Sequence, residues 1–262
     1  MLNEILANAP LFLLIAVRAL AMIEVAPLIS SDAIPQVAKV SLAGFVAFSV
    51  FPQVYPVELP QEVFNLTYLL LVIGEAFIGI IIGFYLTIVY SAFSSAGQFF
   101  SLQMGFGASE TYDPLAQIEN PLMGQYLNLV GMLVFLTVDG FQQLFIGGFQ
   151  RSVQSFNILT LITAKDSILK ILLNGLSQLF VDAIVISMPI LGTLFLISLT
   201  MGLLSKAAPQ MNLLTEGFPI SITIAFILIL ATMPFLVESF AYVVNNGFSM
   251  IERLITSIGK QL

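Results

Sequence analysis

Five charged side chains lie within or at the edges of long apolar segments, and they are the first candidates for chemistry in this sequence. Each charge costs about 2.5–3.5 kcal/mol at the centre of a membrane helix, so such residues are interpreted first as functional. Three interpretations stay open. The charges hold structural positions, at the interface or in a pair such as Arg18 with an acid on another helix; they conduct protons or ions; or they contact partner subunits or a water-lined route. The five residues are Arg18, Glu24, Glu75, Asp182 and Glu238.

The residue types that most catalysis needs are missing. The chain has no Cys and no His, which argues against a catalytic triad and against zinc or iron–sulfur sites. Neither a phosphate-binding P-loop motif nor a nucleophile-elbow motif occurs. The thinly spread net charge of -7 argues against nucleic acid as a partner. We therefore expect no enzyme activity, no cofactor and no metal site.

The elements that hold these charges are membrane helices by composition. Of 262 residues, 58% are hydrophobic and 9% are charged, whereas an average soluble domain is roughly a quarter charged. Too few charges remain to cover a soluble surface, so lipid or other protein must cover the outside. The sequence predicts an all-α, multi-helix integral membrane protein. No stretch reads as a separate soluble domain, so residues 1–262 are treated as one unit, with N-terminal helices and a loop in 1–120 and helical hairpins in 121–262.

Several predicted helices are longer than a single membrane span requires. The third apolar segment, residues 66–100, would be about 50 Å long as one helix, whereas the hydrocarbon core is about 30 Å thick. This helix is expected to tilt, bend or project into a protein assembly. A kink is expected at Pro189 of a later long segment. Apolar segments predict helices over residues 9–29, 37–51, 66–100, 121–138, 141–156, 163–204 and 220–248.

Two surfaces on these helices favour contact with other chains. Gly79 and Gly83 form a G-x-x-x-G motif that permits close helix packing, and we expect this face to be buried against other subunits. Polar residues draw a stripe along the helix from residue 163, which should face water, a partner or the membrane interface. The stripe consists of Thr163, Asp166, Ser167, Lys170, Asn174, Ser177, Gln178 and Asp182.

Two polar breaks interrupt the apolar pattern. Residues 101–120 form a long break with Gly, Met and Phe, and a loop of this length is usually functional or disordered. Residues 205–219 form a shorter break in which two prolines should fix a tight turn between helices. The residues assigned to this turn are Ala208, Pro209, Gln210, Met211, Asn212, Gly217 and Pro219.

Four stretches, in order along the chain, carry a resemblance to a known family. They are residues 18–27 (RALAMIEVAP) with 33–36 (AIPQ), 97–105 (GQFFSLQMG) with 112–114 (YDP), 133–140 (LVFLTVDG), and 202–212 (GLLSKAAPQMN) with 217–219 (GFP). With these motifs the chain resembles the FliR family of flagellar and type III secretion export-gate membrane proteins. Each motif is weak alone, whereas four in order with matching spacing are specific.

The resemblance implies a hetero-oligomeric, spiral-like helical assembly in the bacterial inner membrane, at the flagellar basal body. The implied partners are FliP- and FliQ-type subunits, with FlhB- and FlhA-type subunits, membrane lipid, and unfolded export substrates that pass through the centre. The family's loop between its two halves plugs the closed pore. Residues 108–111 depart from the family pattern, in which more apolar residues are usual. The matching plug residues are Gln103, Met104, Gly105, Phe106, Gly107, Asp113 and Pro114.

Alternative functions remain at this stage. Within the family, injectisome members tend to carry a Pro-Ile-Lys after the Ala-Pro-Gln signature, and this chain has Pro219-Ile-Ser221 instead, which favours a flagellar role. Outside the family, intramembrane acids and broken helices would suit a secondary transporter or a channel for small solutes. A membrane enzyme is the third alternative, and the missing catalytic groups argue against it.

Overall fold

The computed structural model describes residues 8–31, 33–54, 66–105, 122–155, 164–207 and 213–259, and the regular structure within these ranges is helical throughout. We number the helices in chain order. They are α1 (Ala9–Val25), α2 (Gln36–Val54), α3 (Leu66–Met104), α4 (Leu122–Thr137), α5 (Gly140–Ser155), α6 (Lys165–Ala207) and α7 (Leu213–Gly259).

Three stretches of helix among the described residues are long and apolar enough to cross a membrane. They are Leu66–Met104, Lys165–Ala207 and Gly217–Arg253, and a fourth crossing results if α4 and α5 together form one span. The α4–α5 pair bends by 73° at Asp139, which adopts the left-handed conformation with φ 55°. The prediction of a multi-pass, all-α membrane protein is confirmed, and the break between the helices predicted at 121–138 and 141–156 lies where expected.

The ends of three helices differ from the predicted ones. Helix α3 continues through residues 101–104, because Ser101 and Met104 are buried at helical spacing. Helix α7 begins at Leu213, so Gly217 and Pro219 belong to its first two turns and not to the turn before it. Pro219 is the seventh residue of this helix, beyond the first four residues whose N–H groups have no partner in any case, so it removes one backbone hydrogen bond near the helix start. Helix α1 ends at Val25, just before Pro27.

The described residues divide into two compact units, each built from discontinuous stretches. Unit 1 comprises Met1–Val89, Asp139–Leu176 and Asn245–Leu262. Within it, a Cβ on Gly79 would come 2.3 Å from the backbone oxygen of Arg18, and a Cβ on Gly83 would come 2.8 Å from that of Met22. The G-x-x-x-G face therefore packs against α1 of the same chain. These two glycines do not indicate an intersubunit contact, because a small-residue motif specifies close approach and not the identity of the partner helix. Burial of the third segment against other subunits stays a prediction, and other faces of α3 carry exposed apolar residues such as Leu69 and Ile73.

Helix α5, also in unit 1, contains a π-helical stretch over Gln143–Gln150. Such wide turns are rare and occur mostly as short insertions within α-helices. A Cβ on Gly148 in this stretch would lie 3.7 Å from Cγ2 of Ile82 on α3. The π-helical stretch thus packs against the first half of α3.

Unit 2 comprises Tyr90–Val138 and Ser177–Val244. Its core centres on Phe93, whose ring stacks on Phe240 with centroids 4.2 Å apart. A Cβ on Gly97 would lie 2.4 Å from the backbone oxygen of Met123, so α3 and α4 approach to backbone contact here. The Tyr90 hydroxyl donates to the backbone oxygen of Asn128 at 2.8 Å. These contacts fix the second half of α3 against α4 and α7.

Candidate functional site

The buried arginine of α1 joins three helices of unit 1. Arg18 is 2% exposed, and its Nε lies 2.5 Å from Oε2 of Glu75 on α3. Its Nη1 donates to the Ser152 hydroxyl of α5 at 3.3 Å, and that hydroxyl donates to the backbone oxygen of Phe149 at 2.7 Å. Pairing between Arg18 and an acid on another helix was one of the open interpretations, and the structure shows it. Hydrogen bonding of both charges is what burial of an ion pair requires.

A second ion pair holds α1 to α2. Lys39 Nζ lies 3.1 Å from Oε2 of Glu24, and it also donates to the backbone oxygen of Ser30 at 3.0 Å. Lys39 is almost fully buried. It was not singled out from the sequence, although it is the only cation in its apolar segment. A lone cation one loop away from a lone acid was the signal that could have found this pair.

The remaining two intramembrane charges meet in a groove of unit 2. Asp182 on α6 and Glu238 on α7 both line a cavity of about 360 Å³. Gln178 donates to Oδ1 of Asp182 at 2.8 Å. The full lining consists of Asp182, Val185, Ile186, Phe235, Glu238, Ser239, Tyr242 and Val243. The five charges therefore divide into three residues that pair within unit 1 and two that share this groove.

The polar stripe of α6 is exposed on this chain over most of its length. Asp166, Ser167, Lys170, Asn174 and Ser177 are all exposed, while Asp182 is half-buried. Buried positions such as Ile168 and Leu179 lie on the opposite face. The stripe is therefore not covered by the described part of this chain.

Three of the predicted plug residues lie at the end of α3. Gln103 and Met104 belong to the last helical turn, not to a loop. The Gln103 side-chain amide donates to the Ser198 hydroxyl on α6 at 3.1 Å, and Met104 is 0% exposed. Gly105 follows the helix with φ 94°, a value that favours glycine. The end of α3 is thus fixed before the following residues begin.

The aromatic ring of Phe218 packs directly on Gly105. A Cβ on Gly105 would lie 2.3 Å from Cδ1 and 2.5 Å from Cε1 of that ring. Phe218 belongs to the Gly-Phe-Pro stretch near the start of α7, so two sequence motifs separated by more than a hundred residues meet here. Phe218 and Ser198 were missed as site residues, because no sequence pattern identifies which distant residues contact Gly105 and Gln103.

The other predicted residues of the plug and of the turn lie outside the described residues. They are Phe106, Gly107, Asp113, Pro114, Ala208, Pro209, Gln210, Met211 and Asn212.

The ion pairs and the glycine contacts hold the helices together, and the groove of unit 2 offers two carboxylates. The described stretches contain no group of three or more metal-ligating side chains. Long apolar helices, ion pairs buried between them and close glycine contacts define a multi-pass helical membrane protein. The family model described as "Bacterial export proteins, family 1" matches residues 9–247. The chain belongs to this family.

Curated relatives resemble the chain over most of its length. A protein named "Flagellar biosynthetic protein FliR" from Escherichia coli K12 is 27% identical over 252 residues, which cover 92% of this chain and 91% of the relative. The protein of the same name from Borreliella burgdorferi is 29% identical over 75% of this chain and 74% of the relative. The one from Bacillus subtilis 168 is 28% identical over 70% of each chain.

Proposed function

We propose that this chain is a core subunit of the flagellar type III protein export gate in the bacterial inner membrane. The observation that carries the proposal is the family match over residues 9–247, together with relatives named as flagellar biosynthetic proteins. Residues 219–221 lack the lysine of the injectisome pattern, which supports a flagellar role over an injectisome one. In this role the chain is a non-enzymatic conduit subunit of the basal body.

The proposed partners are FliP- and FliQ-type subunits, with FlhB- and FlhA-type subunits nearby. Three described helices are far longer than the roughly 20 residues that cross a bilayer, and the polar stripe of α6 is exposed. Polar side chains in a membrane helix generally face other protein or water. Both features support a hetero-oligomeric, spiral-like assembly in which other subunits cover α6. Unfolded export substrates would pass through its centre.

The residues after Gly105 are proposed to form the plug of the resting pore. Three observations support a fixed attachment point for this plug at the end of α3. Gln103 donates to Ser198, Met104 is buried, and the ring of Phe218 packs on Gly105. Because Met104 is buried within unit 2, the proposed seal begins at Phe106, and Met104 anchors it. The remaining plug residues are Gly107, Asp113 and Pro114.

The turn between α6 and α7 is proposed to set the geometry of this hairpin. Helix α6 ends at Ala207 and α7 begins at Leu213, so only residues 208–212 join two long helices. Replacing Pro209 with Leu should let the helix propagate into the turn and should lower the amount of assembled complex. Unchanged complex yield and unchanged motility would argue against a structural role for Pro209.

The experiment that tests the plug is a deletion of residues 106–111, which leaves the anchoring contacts in place. The complex should still assemble, and cells that express the full partner set should become permeable to ions or small solutes in membrane conductance measurements. A deletion of the same number of residues from 56–61 is the control and should stay tight. An assembled 106–111 deletion as tight as the parent would exclude the plug.

The second candidate function is a secondary transporter or channel for small solutes. The groove that contains Asp182 and Glu238 favours it, because intramembrane carboxylates mark ion pathways in transporters. Purification in mild detergent separates the two candidates. A large complex with other membrane proteins, together with loss of motility when the gene is deleted, supports the export gate. A functional monomer or symmetric homo-oligomer supports the transporter.

A further inference from the structure

The groove between α6 and α7 in unit 2 combines apolar walls with two carboxylates. Val185, Ile186 and Phe235 form part of its wall, with Asp182 and Glu238 among them. Glu238 is exposed and makes no hydrogen bond or ion pair with another of the described residues. Asp182 accepts only the uncharged Gln178 amide among its described partners. The groove therefore carries negative charge that the described part of unit 2 does not neutralise.

The sequence of unit 2 cannot supply the missing positive charge. Lys206 is its single basic residue, and it lies about 36 Å from Asp182 along α6 at 1.5 Å per residue. This count covers every residue of unit 2, because it is read from the sequence. Against this one cation stand six acids, Glu110, Asp113, Glu119, Asp182, Glu216 and Glu238.

Both carboxylates lie in the interior of candidate membrane spans. Asp182 belongs to the span Lys165–Ala207 and Glu238 to the span Gly217–Arg253. Glu238 lies about 22 Å along the helix from the nearest end of its span. A carboxylate within an apolar span is usually paired with another intramembrane group.

We infer that this groove is the docking site for a membrane helix of another export-gate subunit that carries Lys or Arg on an otherwise apolar face. The apolar walls would receive the helix, and its basic side chain would lie between Asp182 and Glu238. A guanidinium or ammonium group supplies several donors, so one cation can serve both carboxylates. Tyr242 and Ser239 offer hydroxyl groups at the same groove. The inference rests on the proposed function, because it requires that partner subunits exist.

The test compares carboxylate-to-amide variants in the assembled complex. The chain is expressed with the other membrane subunits of its gene cluster and purified in mild detergent, and co-purifying subunits are quantified relative to the chain. The double variant D182N/E238Q should lower the recovered complex at least tenfold, because it leaves the partner's buried charge unpaired. The matched control is D139N, which makes the same change at an exposed position outside the groove and outside the polar stripe; Asn also tolerates the left-handed conformation of this residue, so this variant should recover as much complex as the parent.

A photoreactive phenylalanine analogue in place of Tyr242 gives a second measurement that does not depend on disrupting the fold. It should crosslink to a membrane helix of another subunit, and the mapped peptide should contain Lys or Arg. Reversing that basic residue to Glu should abolish assembly, and combining it with Glu238→Lys should restore assembly.

Distinct results would overturn the inference. Full assembly of D182N/E238Q, or Tyr242 crosslinks that reach only lipid or a peptide without a basic residue, would leave the export-gate assignment in place and refute the docking site. If neither the parent chain nor D139N co-purifies with another subunit, the proposed function fails and the docking site fails with it.

Discussion

Replacement of Glu75 with Gln isolates the contribution of the buried ion pair in unit 1. The change keeps the shape of the side chain and removes its charge. Arg18 is 2% exposed, so its guanidinium would remain buried opposite an uncharged amide in place of the carboxylate. Glu75→Gln should therefore destabilise unit 1 strongly, whereas a surface carboxylate changed in the same way should have almost no effect.

The expected loss of stability follows from the burial of the Arg18–Glu75 ion pair. Removal of one member of a buried ion pair costs about 3–5 kcal/mol, while replacement of both members by apolar residues of similar volume is often neutral or stabilising. The first value corresponds to more than a hundredfold loss in the ratio of folded to unfolded chain, at about 1.4 kcal/mol per tenfold. The double variant with Met at both Arg18 and Glu75 should therefore recover most of what Glu75→Gln loses. Ser152→Ala removes one hydrogen bond from the charged Arg18 and one to the backbone oxygen of Phe149, and it should cost about 1.5 kcal/mol.

The assay is the fraction of chain that stays soluble in mild detergent after a graded heat step, measured together with the amount of chain in the membrane. The expected order of stability is parent, double variant, then Glu75→Gln, with Ser152→Ala close to the parent. A Glu75→Gln variant as stable as the parent would refute the uncompensated-charge argument. If the double variant is less stable than Glu75→Gln, then the attraction between Arg18 and Glu75 itself stabilises the packing of α1 on α3.

Two further predictions concern glycines that approach their neighbours closely. Gly79→Ala should lower membrane levels of the chain, because the added Cβ would lie 2.3 Å from a backbone oxygen of α1. The control is Gly44→Ala, whose added Cβ has nothing within 4 Å. Equal membrane levels of the two variants would argue against the close α1–α3 contact. Gly105→Ala should impair motility, through the positive φ and through collision with the Phe218 ring. Adding Phe218→Ala relieves the collision and should restore part of the motility in a swarm assay, and no recovery at all would mean that the ring contact is not responsible.

The order and type of the helices could be predicted from the sequence, because apolar runs of this length have few alternatives in a membrane. The ends of α3 and α7 could not be predicted. A polar residue such as Ser101 resembles a loop residue in the sequence, and only its burial in the structure shows that it continues a helix. The partner of the Gly79–Gly83 face could not be predicted either, because the motif indicates close approach to any helix.

The candidate site was predicted in part. The five charges were found because charge within an apolar segment is conspicuous, but their division into paired and groove-lining groups depends on which helices are neighbours. Lys39 was overlooked beside Glu24, although both lie in short apolar segments joined by a brief loop. Phe218 on Gly105 could not be found, because a contact between motifs so far apart in sequence has no local signal.

The π-helical stretch in α5 sets the angular phase of everything that follows it in that helix. Each residue of an α-helix advances the side-chain direction by about 100°, so a wide turn shifts the face on which later residues appear. Ser152 meets Arg18 directly after this stretch. Deleting Gly147, whose Cβ position has no neighbour within 4 Å, would return the stretch towards α-helical winding. Because a π-helical turn holds about one residue more than an α-helical turn, Ser152 would stay on nearly the same face, close to the guanidinium. Chains that lack one residue here could therefore satisfy that arginine from the same aligned position.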